Sequence, residues 1–120
     1  MKVVYIAGPF RGPTPWDIEN NIRRAETLAL EVWRLPAAAL CPHCNTRFFQ
    51  NAAPDNVWLD GDLEMLRRCD AVMLTPDWEK SGGARAEVEE AHRLGIPVFE
   101  SLALLRRWLT YDEREEASEI

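Results

Sequence analysis

Short apolar runs rich in β-favouring residues alternate along this chain with longer amphipathic segments, and this alternation limits the fold more than any other feature. Four runs are predicted to be strands: Val3–Ala7, Ala37–Leu40, Asp70–Thr75 and Ile96–Phe99. Alternating strands and helices with short connections form a parallel sheet with right-handed crossovers. We therefore expect an α/β protein with a three-layer, doubly wound sheet of flavodoxin or Rossmann type and four to five mainly parallel strands.

The segments between the strands predict four helices, each with an apolar stripe at helical spacing. They are expected from Asp17, as a cap, to just before Pro36, from Val57 or Asp60 to Arg68, from Ala84 to Leu94, and after Ser101 as a cap. The inward residues are Ile22, Ala25, Ala29, Val32 and Trp33, then Leu59, Leu63 and Leu66, then Ala84, Val88 and Ala91, and finally Leu102, Leu105 and Leu109. The stretch 47–56 is expected to be a loop over the active face.

Length and composition favour one small globular domain. The 120 residues predict a single domain over 1–110 and an acidic, frayed tail over 111–120. A net charge of -6 argues against a partner that is a nucleic-acid polymer. No apolar run is long enough for a membrane span and no signal peptide is recognised, so no membrane partner is expected. The three cysteines do not make a disulfide framework, which favours a cytoplasmic location.

Three loops follow predicted strands, and they are expected to meet at one edge of the sheet. These are the loop at Gly8, the loop at His43 and the turn at Ser81. Ligands of parallel α/β sheets bind beyond the carboxyl ends of the strands. In the Ser81-Gly82-Gly83 turn, glycine lets a phosphate approach the backbone, and the amides of the following helix favour an anion.

Two carboxylates occupy positions on apolar helix stripes. Glu87 lies within the inward series of its helix, and Asp62 lies within that of the preceding helix. Paired carboxyl groups beside one crevice suggest acid and nucleophile roles, with pKa values pushed apart by burial and mutual repulsion. The alternative is that either acid caps a helix or turns out to water. The same test also flags Asn21 and Glu26 on the first helix.

The other candidates each have a structural alternative. Arg11 is either a phosphate clamp or a solvated loop residue. His43 and Asn45 are candidate polar residues of the pocket wall. The Cys41–Cys44 motif suggests zinc, but it lacks a second cysteine pair, so no metal is expected. Three tryptophans near the proposed binding side are candidates for stacking on a base or for ordinary packing: Trp16, Trp58 and Trp78.

Three motifs in this order resemble the nucleoside 2-deoxyribosyltransferase-like superfamily, within it the deoxynucleoside 5′-monophosphate N-glycosidases and a related phage and bacterial branch. They are Tyr5-Ile6-Ala7-Gly8-Pro9-Phe10-Arg11-Gly12, Asp62-Leu63-Glu64-Met65-Leu66 before Cys69-Asp70-Ala71-Val72, and Ser81-Gly82-Gly83-Ala84-Arg85-Ala86-Glu87. The resemblance implies that Glu87 is the nucleophile at the anomeric carbon, Asp62 assists departure of the base, and Ser81 binds a 5′-phosphate. It also implies that Tyr5 and the loop from Gly8 through Phe10 and Arg11 to Gly12 contact sugar and phosphate, with Gly83 in the binding turn.

The resemblance further implies a nucleoside or nucleotide substrate, no cofactor, and a homodimer or higher homo-oligomer. Water as the second acceptor would make the protein a hydrolase, and a second base would make it a transferase. The serine that the hydrolases lend across the subunit interface has no clear counterpart near Thr110. That departure keeps a second hypothesis open, in which the protein binds a nucleotide or nucleotide signal without cleaving it. A flavodoxin-like flavin or acyl-phosphate protein is the third.

Overall fold

The structure is a computed structural model that describes residues 1–118, with side chains described for residues 1–111. Its elements are β1 (Val3–Ala7), α1 (Pro15–Trp33), β2 (Ala38–Leu40), α2 (Pro42–Asn45), α3 (Asp55–Leu66), β3 (Ala71–Leu74), a 3₁₀ turn (Trp78–Lys80), α4 (Gly82–Leu94), β4 (Val98–Phe99) and α5 (Leu102–Ser118). The expected alternation of strands and helices is therefore confirmed.

The four strands form one parallel sheet in the order β2-β1-β3-β4. From the central strand β1 the chain first crosses to β2 on one side and then to β3 on the other. Strand order therefore reverses between β1 and β3, where doubly wound sheets bind ligands. The α/β prediction is confirmed, and β4, which follows Pro97, lies at the edge of the sheet.

The sheet is covered on both faces because side chains alternate along each strand. Val4 and Ile6 of β1 pack with buried residues of α1 and α5. Tyr5 and Ala7 point to the opposite face, where they pack with Leu66 and with residues of α4. This alternation produces the three layers, and it places Tyr5 on the side of the sheet that α3 and α4 cover.

Two helix starts differ from the sequence prediction. The cap of α1 is Thr14 rather than Asp17, whose carboxylate accepts from the Thr14 backbone N–H in a reciprocal capping box. Helix α3 begins at Asp55, directly after Pro54. Two predicted inward residues are also wrong: Trp33 lies at the exposed end of α1, and Leu59 is exposed on α3.

Helix α4 also begins earlier than expected, at Gly82 rather than Ala84, whereas its end at Leu94 and the Ser101 cap of α5 agree with the prediction. Ser81 accepts a hydrogen bond from the Ala84 backbone N–H at the start of α4, and Gly95 ends α4 with a left-handed φ of 73°. Ser101 accepts from the Leu104 N–H at the start of α5. This last helix continues to Ser118, so fraying of the segment 111–120 and the division into domain and tail stay predictions, and residues 119–120 lie outside the described residues. No helix within the described residues is long and apolar enough to cross a membrane.

Candidate functional site

A pocket of about 410 Å³ lies at the switch point of the sheet. Its walls come from the carboxyl end of β1 and the loop after it, from α2, from the first turns of α3, and from the start of α4. Nine of the residues predicted for the site line this pocket: Tyr5, Gly8, Phe10, Arg11, His43, Asp62, Ser81, Gly83 and Glu87. The three loops that were expected to converge therefore do so.

Glu87 and Asp62 reach the pocket from two neighbouring helices. Glu87 follows the buried residue Ala84 on α4 by three positions, so the stripe that packs on the sheet brings its carboxyl group inward. Asp62 is half-buried on α3, and its charge acts on Glu87 across the pocket. The inward placement predicted for both acids is confirmed. Their catalytic roles stay a proposal.

The surroundings of the two acids favour their uncharged forms to different degrees. Burial raises the pKa of Glu87 to about 8, the neighbouring Tyr5 hydroxyl lowers it in part, and the charge of Asp62 raises it further. Burial alone raises the pKa of Asp62 to about 6. Between these two values the pair holds one proton, and the deeper burial of Glu87 places it mainly on that residue.

The pocket also collects buried polar atoms that have no hydrogen-bond partner. Among the described side chains there are four such atoms: Tyr5 Oη, His43 Nδ1, Trp58 Nε1 and Glu87 Oε2. All four belong to residues that line the pocket. Burial and the charges of Glu87 and Asp62 raise the pKa of the Tyr5 hydroxyl, which keeps it protonated. Because an unpartnered buried polar group costs about 1–3 kcal/mol, their concentration at one place is typical of a site that binds a polar ligand.

His43 is held in one orientation. Its Nε2 lies 2.8 Å from the carbonyl oxygen of Pro9, so this nitrogen carries the proton and donates it. Burial lowers the pKa of His43, which keeps the ring neutral, and Nδ1 is therefore an acceptor. The Phe10 ring meets the imidazole edge-on with a centroid distance of 5.7 Å. These contacts join α2 to the loop after β1.

Asn21 of α1 holds the loop after β1 by hydrogen bonds. Its Nδ2 donates to the carbonyl oxygens of Phe10 and Arg11, each at 3.1 Å. Asn21 is therefore inward, as its position on the helix stripe suggested. Glu26, flagged by the same test, is exposed and pairs with Arg47 at 2.8 Å. The other two residues flagged by that test, Glu87 and Asp62, both line the pocket.

Two cations border the pocket. Arg11 forms an ion pair with Asp55 at the start of α3, although both side chains stay more than half exposed. Arg11 is thus partly solvated, as one interpretation expected, and it also has an ion-pair partner that neither interpretation included. Lys80 lines the same pocket and is exposed, and no ion pair involves it within the described residues.

The glycines of the site have different reasons to be glycine. A Cβ on Gly8 would lie 2.2 Å from Thr75 Oγ1, because the chain ends of β1 and β3 pass close together. At Gly83 the nearest atom to a built Cβ is the Ser81 Oγ at 3.7 Å, so that turn is open toward the pocket.

Two predicted site residues do not line the pocket. Asn45 ends the short helix α2, where it is exposed and its Nδ2 lies 3.8 Å from Met65 Sδ. Gly12 packs against the start of α1, where an added Cβ would lie 2.4 Å from Asp17 Cβ. Asn45 is thus directed toward α3 and Gly12 toward α1, which leaves both outside the pocket lining.

Several lining residues were not predicted. They include Thr46, Gln50, Asp55 and Leu59. Of the three flagged tryptophans only Trp58 is among the lining residues; Trp16 is exposed, and Trp78 donates to Glu100 at 2.7 Å. The signal that was available is Pro54-Asp55, a typical helix start, which places the first turn of α3 beside the loop after β1.

The described residues contain no group of three or more His, Cys, Asp or Glu side chains that could hold a metal ion. Cys41 and Cys44 therefore stand as a pair, with no third ligand among the described side chains.

The parallel sheet and its strand order define the class of this protein as a doubly wound α/β fold, with a pocket at the switch point of the sheet. The chain belongs to the family described as Domain of unknown function (DUF7768), which matches residues 2–101. No curated protein matches it.

Among solved structures, the chain is similar to a 2-deoxyribosyltransferase from the psychrotolerant bacterium Bacillus psychrosaccharolyticus, described as a biocatalyst for the synthesis of antiviral and antitumoral nucleosides. The TM-score is 0.59 at 20% sequence identity, over 80% of this chain and 69% of that chain. The fold is therefore 2-deoxyribosyltransferase-like, and the resemblance found in the sequence is confirmed at the level of the fold. The N-glycosidase branch stays a prediction.

Proposed function

We propose that this protein cleaves or transfers the N-glycosidic bond of a nucleoside or of its 5′-monophosphate. The observation that carries the proposal is the Glu87 carboxyl group, whose buried Oε2 has no hydrogen-bond partner, beside Asp62 in a pocket of about 410 Å³. That volume lies within the range of small-molecule sites. The 2-deoxyribosyltransferase with this fold is described as a biocatalyst for nucleoside synthesis.

In the proposed reaction, the Glu87 carboxylate attacks the anomeric carbon as the bond to the base breaks. The transition state has oxocarbenium character, which the nearby carboxylate stabilises. Asp62 gives its proton to the departing base. Water or a second base then attacks the same carbon and releases Glu87, and the Asp62 carboxylate takes up the proton of that nucleophile. Attack by water would make the protein a hydrolase, and attack by a second base would make it a transferase.

The protonation state of the pair is consistent with this chemistry. The reaction needs one proton on the two acids, which is their state between pH values of about 6 and about 8. Before the reaction that proton lies mainly on Glu87, so it must pass to Asp62 before the base departs. The positive charge that develops at the sugar favours this transfer because it stabilises the ionised glutamate.

A 5′-phosphate fits the mouth of the pocket. Lys80 supplies positive charge there, and Arg11 supplies more once a phosphate replaces Asp55 as its partner. The hydroxyl hydrogen of Ser81 is available to a phosphate oxygen because Ser81 Oγ serves α4 as an acceptor only. We therefore expect nucleotides to bind more tightly than nucleosides. The assembly as a homodimer or larger homo-oligomer belongs to this proposal as well.

The test uses deoxynucleosides, ribonucleosides and their 5′-monophosphates, each with and without a second free base. Chromatography follows the release of free base and the formation of a new nucleoside. We expect Glu87→Gln to lose turnover, while Glu89→Gln, an exposed position on the same helix, retains it. Unchanged turnover in Glu87→Gln would exclude the nucleophile role.

Asp62 has a separate test. A substrate whose base is already cationic, such as 7-methylguanosine monophosphate, leaves without needing a proton. Asp62→Asn should lower turnover of ordinary nucleotides by about 10²–10⁴-fold and spare the cationic substrate. An equal loss on both substrates would contradict the acid role of Asp62.

A second candidate function is binding of a nucleotide without cleavage. The raised pKa of Glu87 favours it, because an uncharged carboxyl group is a weak nucleophile but a good hydrogen-bond donor and acceptor. Intact ligand after long incubation, together with a calorimetric Kd that is the same in Glu87→Gln, would support binding alone. Release of base by the unmodified protein would exclude it.

A further inference from the structure

We propose that Cys41 and Cys44 form a reversible dithiol–disulfide pair that sets the position of His43 in the pocket wall. The two residues lie at the first turn of α2, where the Cys44 N–H donates to the Cys41 carbonyl at 3.1 Å. This turn brings their sulfur atoms to 3.5 Å, with the Cys44 thiol donating to Cys41 Sγ. A disulfide bond measures about 2.05 Å, so the two sulfur atoms are already close to bonding distance.

The pair differs from the third cysteine of the chain. Cys44 is exposed and Cys41 is half-buried beside it. Cys69 is buried at the end of α3, where its thiol donates to the Met65 carbonyl at 3.4 Å. Only Cys44 is therefore open to an external reagent, and only Cys41 is placed to react with Cys44 next.

The reaction has two exchange steps with a small-molecule disulfide such as oxidised glutathione. The Cys44 thiolate attacks one sulfur of the reagent, whose S–S bond breaks and releases one glutathione thiolate. The Cys41 thiolate then attacks Cys44 Sγ and releases the second. Two protein thiols and one small disulfide become one protein disulfide and two small thiols, and the protons lost by the cysteines are taken up by the glutathione thiolates.

Burial sets the rate of this exchange. It raises the pKa of Cys41 to about 12 and also raises the pKa of Cys44, so little thiolate is present at neutral pH. Since the thiolate is the nucleophile, exchange should be slow at pH 7 and faster as the pH rises toward 9.

The sequence order couples the pair to the pocket. Pro42 and His43 lie between the two cysteines, and both line the pocket. His43 is also tied to the loop after β1 by its hydrogen bond to the Pro9 carbonyl at 2.8 Å. Because the sulfur atoms must approach by about 1.5 Å to reach bonding distance, closure changes the turn that holds His43.

The experiment treats the intact protein with graded ratios of oxidised to reduced glutathione in the presence of a chelator. After an acid quench, a maleimide labels the remaining thiols, and the intact mass is measured. Under oxidising ratios we expect the loss of two hydrogens and one labelled thiol, against three labelled thiols under reducing ratios. Reduced glutathione should restore all three.

Matched variants assign the bond. Cys69→Ser should still form the disulfide. Cys41→Ser should instead accumulate a mixed disulfide with glutathione at Cys44, and Cys44→Ser should form neither product. Three labelled thiols at every ratio, or a disulfide that includes Cys69, would overturn the proposal.

The coupling to His43 has its own readout, which needs no nucleotide. The chain has two histidines, so the imidazole signals in NMR spectra are assigned with one variant, His92→Ala. On oxidation the His43 signals should shift, while those of His92, exposed on α4, should not. A complete disulfide with unmoved His43 signals would refute the coupling.

Discussion

Replacing Glu87 by glutamine should stabilise the folded protein, by an amount that grows with pH. Glutamine has nearly the same shape and cannot ionise. In the folded protein, the wild-type carboxyl group has a pKa of about 8, against its ordinary value of 4.5. The folded state therefore holds the proton more tightly than the unfolded state, and the free energy of unfolding of the wild type falls as the pH rises between these two values.

The magnitude follows from the two pKa values. A tenfold difference in proton affinity is worth about 1.4 kcal/mol, so the penalty for ionising Glu87 in the folded state reaches about 5 kcal/mol above pH 8. It is about 2 kcal/mol at pH 6 and close to zero at pH 4. Water entering the pocket reduces the penalty, so about 5 kcal/mol is its upper bound.

The assay is urea unfolding of the wild type and of Glu87→Gln at pH values from 4 to 9. The difference in unfolding free energy should be small at pH 4, rise through neutral pH and level off above pH 8. Glu89→Gln, on the exposed side of α4, is the matched control and should show no such rise. The slope of the denaturant dependence must stay the same for the comparison to hold.

One result would refute this reasoning directly. A difference between Glu87→Gln and the wild type that does not change with pH means that Glu87 has the same proton affinity in both states. The glutamate would then be solvated in the folded protein, and neither the buried nucleophile nor the buried hydrogen-bond donor would exist.

Three further predictions concern the same site. If the protein is a glycosidase or transferase, a pH series of initial rates should give a bell-shaped kcat/KM with limbs near pH 6 and pH 8. Activity is lost below pH 6 because Asp62 and Glu87 are both protonated, and above pH 8 because both are ionised. Asn21→Ala removes two hydrogen bonds to the loop after β1 and should cost about 1–3 kcal/mol of unfolding free energy in urea. Gly8→Ala should cost a similar amount by thermal unfolding, because its Cβ would lie 2.2 Å from Thr75 Oγ1 of the buried Thr75; an unchanged midpoint would show that β1 and β3 can separate there.

Much of the fold was predictable because its determinants are local. The strand at Val3–Ala7 has the predicted bounds, and the helix that carries Glu87 ends at Gly95 as expected. An acid on an apolar stripe is visible from spacing alone, which is why Glu87 and Asp62 were found. The same spacing could not separate these acids from Asn21, since all three are inward and only their contacts differ.

The missed part of the site depends on contacts between distant segments. Asp55 reaches the pocket through its ion pair with Arg11, and these residues are 44 positions apart in the chain (55 − 11). Trp58 was flagged only as one of three tryptophans, and its ring contact with Phe49, at a centroid distance of 5.7 Å, comes from the folding of the stretch before α3. Neither placement follows from a periodic pattern. Asn45 was wrongly included for the related reason that the turn of α2 decides which neighbour faces the pocket.

The catalytic proposal depends on the alternation of side chains along β1 as much as on the two acids. Successive strand residues point to opposite faces, so the register that buries Val4 and Ile6 against α1 also sends Tyr5 toward α3 and α4. Burial and the nearby carboxyl groups of Glu87 and Asp62 raise the pKa of the Tyr5 hydroxyl, which lies beside Glu87 without a hydrogen bond of ordinary geometry. Tyr5→Phe removes that unpartnered hydroxyl, so it should leave stability unchanged or slightly higher while raising the pKa of Glu87, which moves the upper limb of the pH profile upward. If stability instead falls by more than about 1 kcal/mol, the hydroxyl has a partner within the fold and its place in the ligand site must be withdrawn.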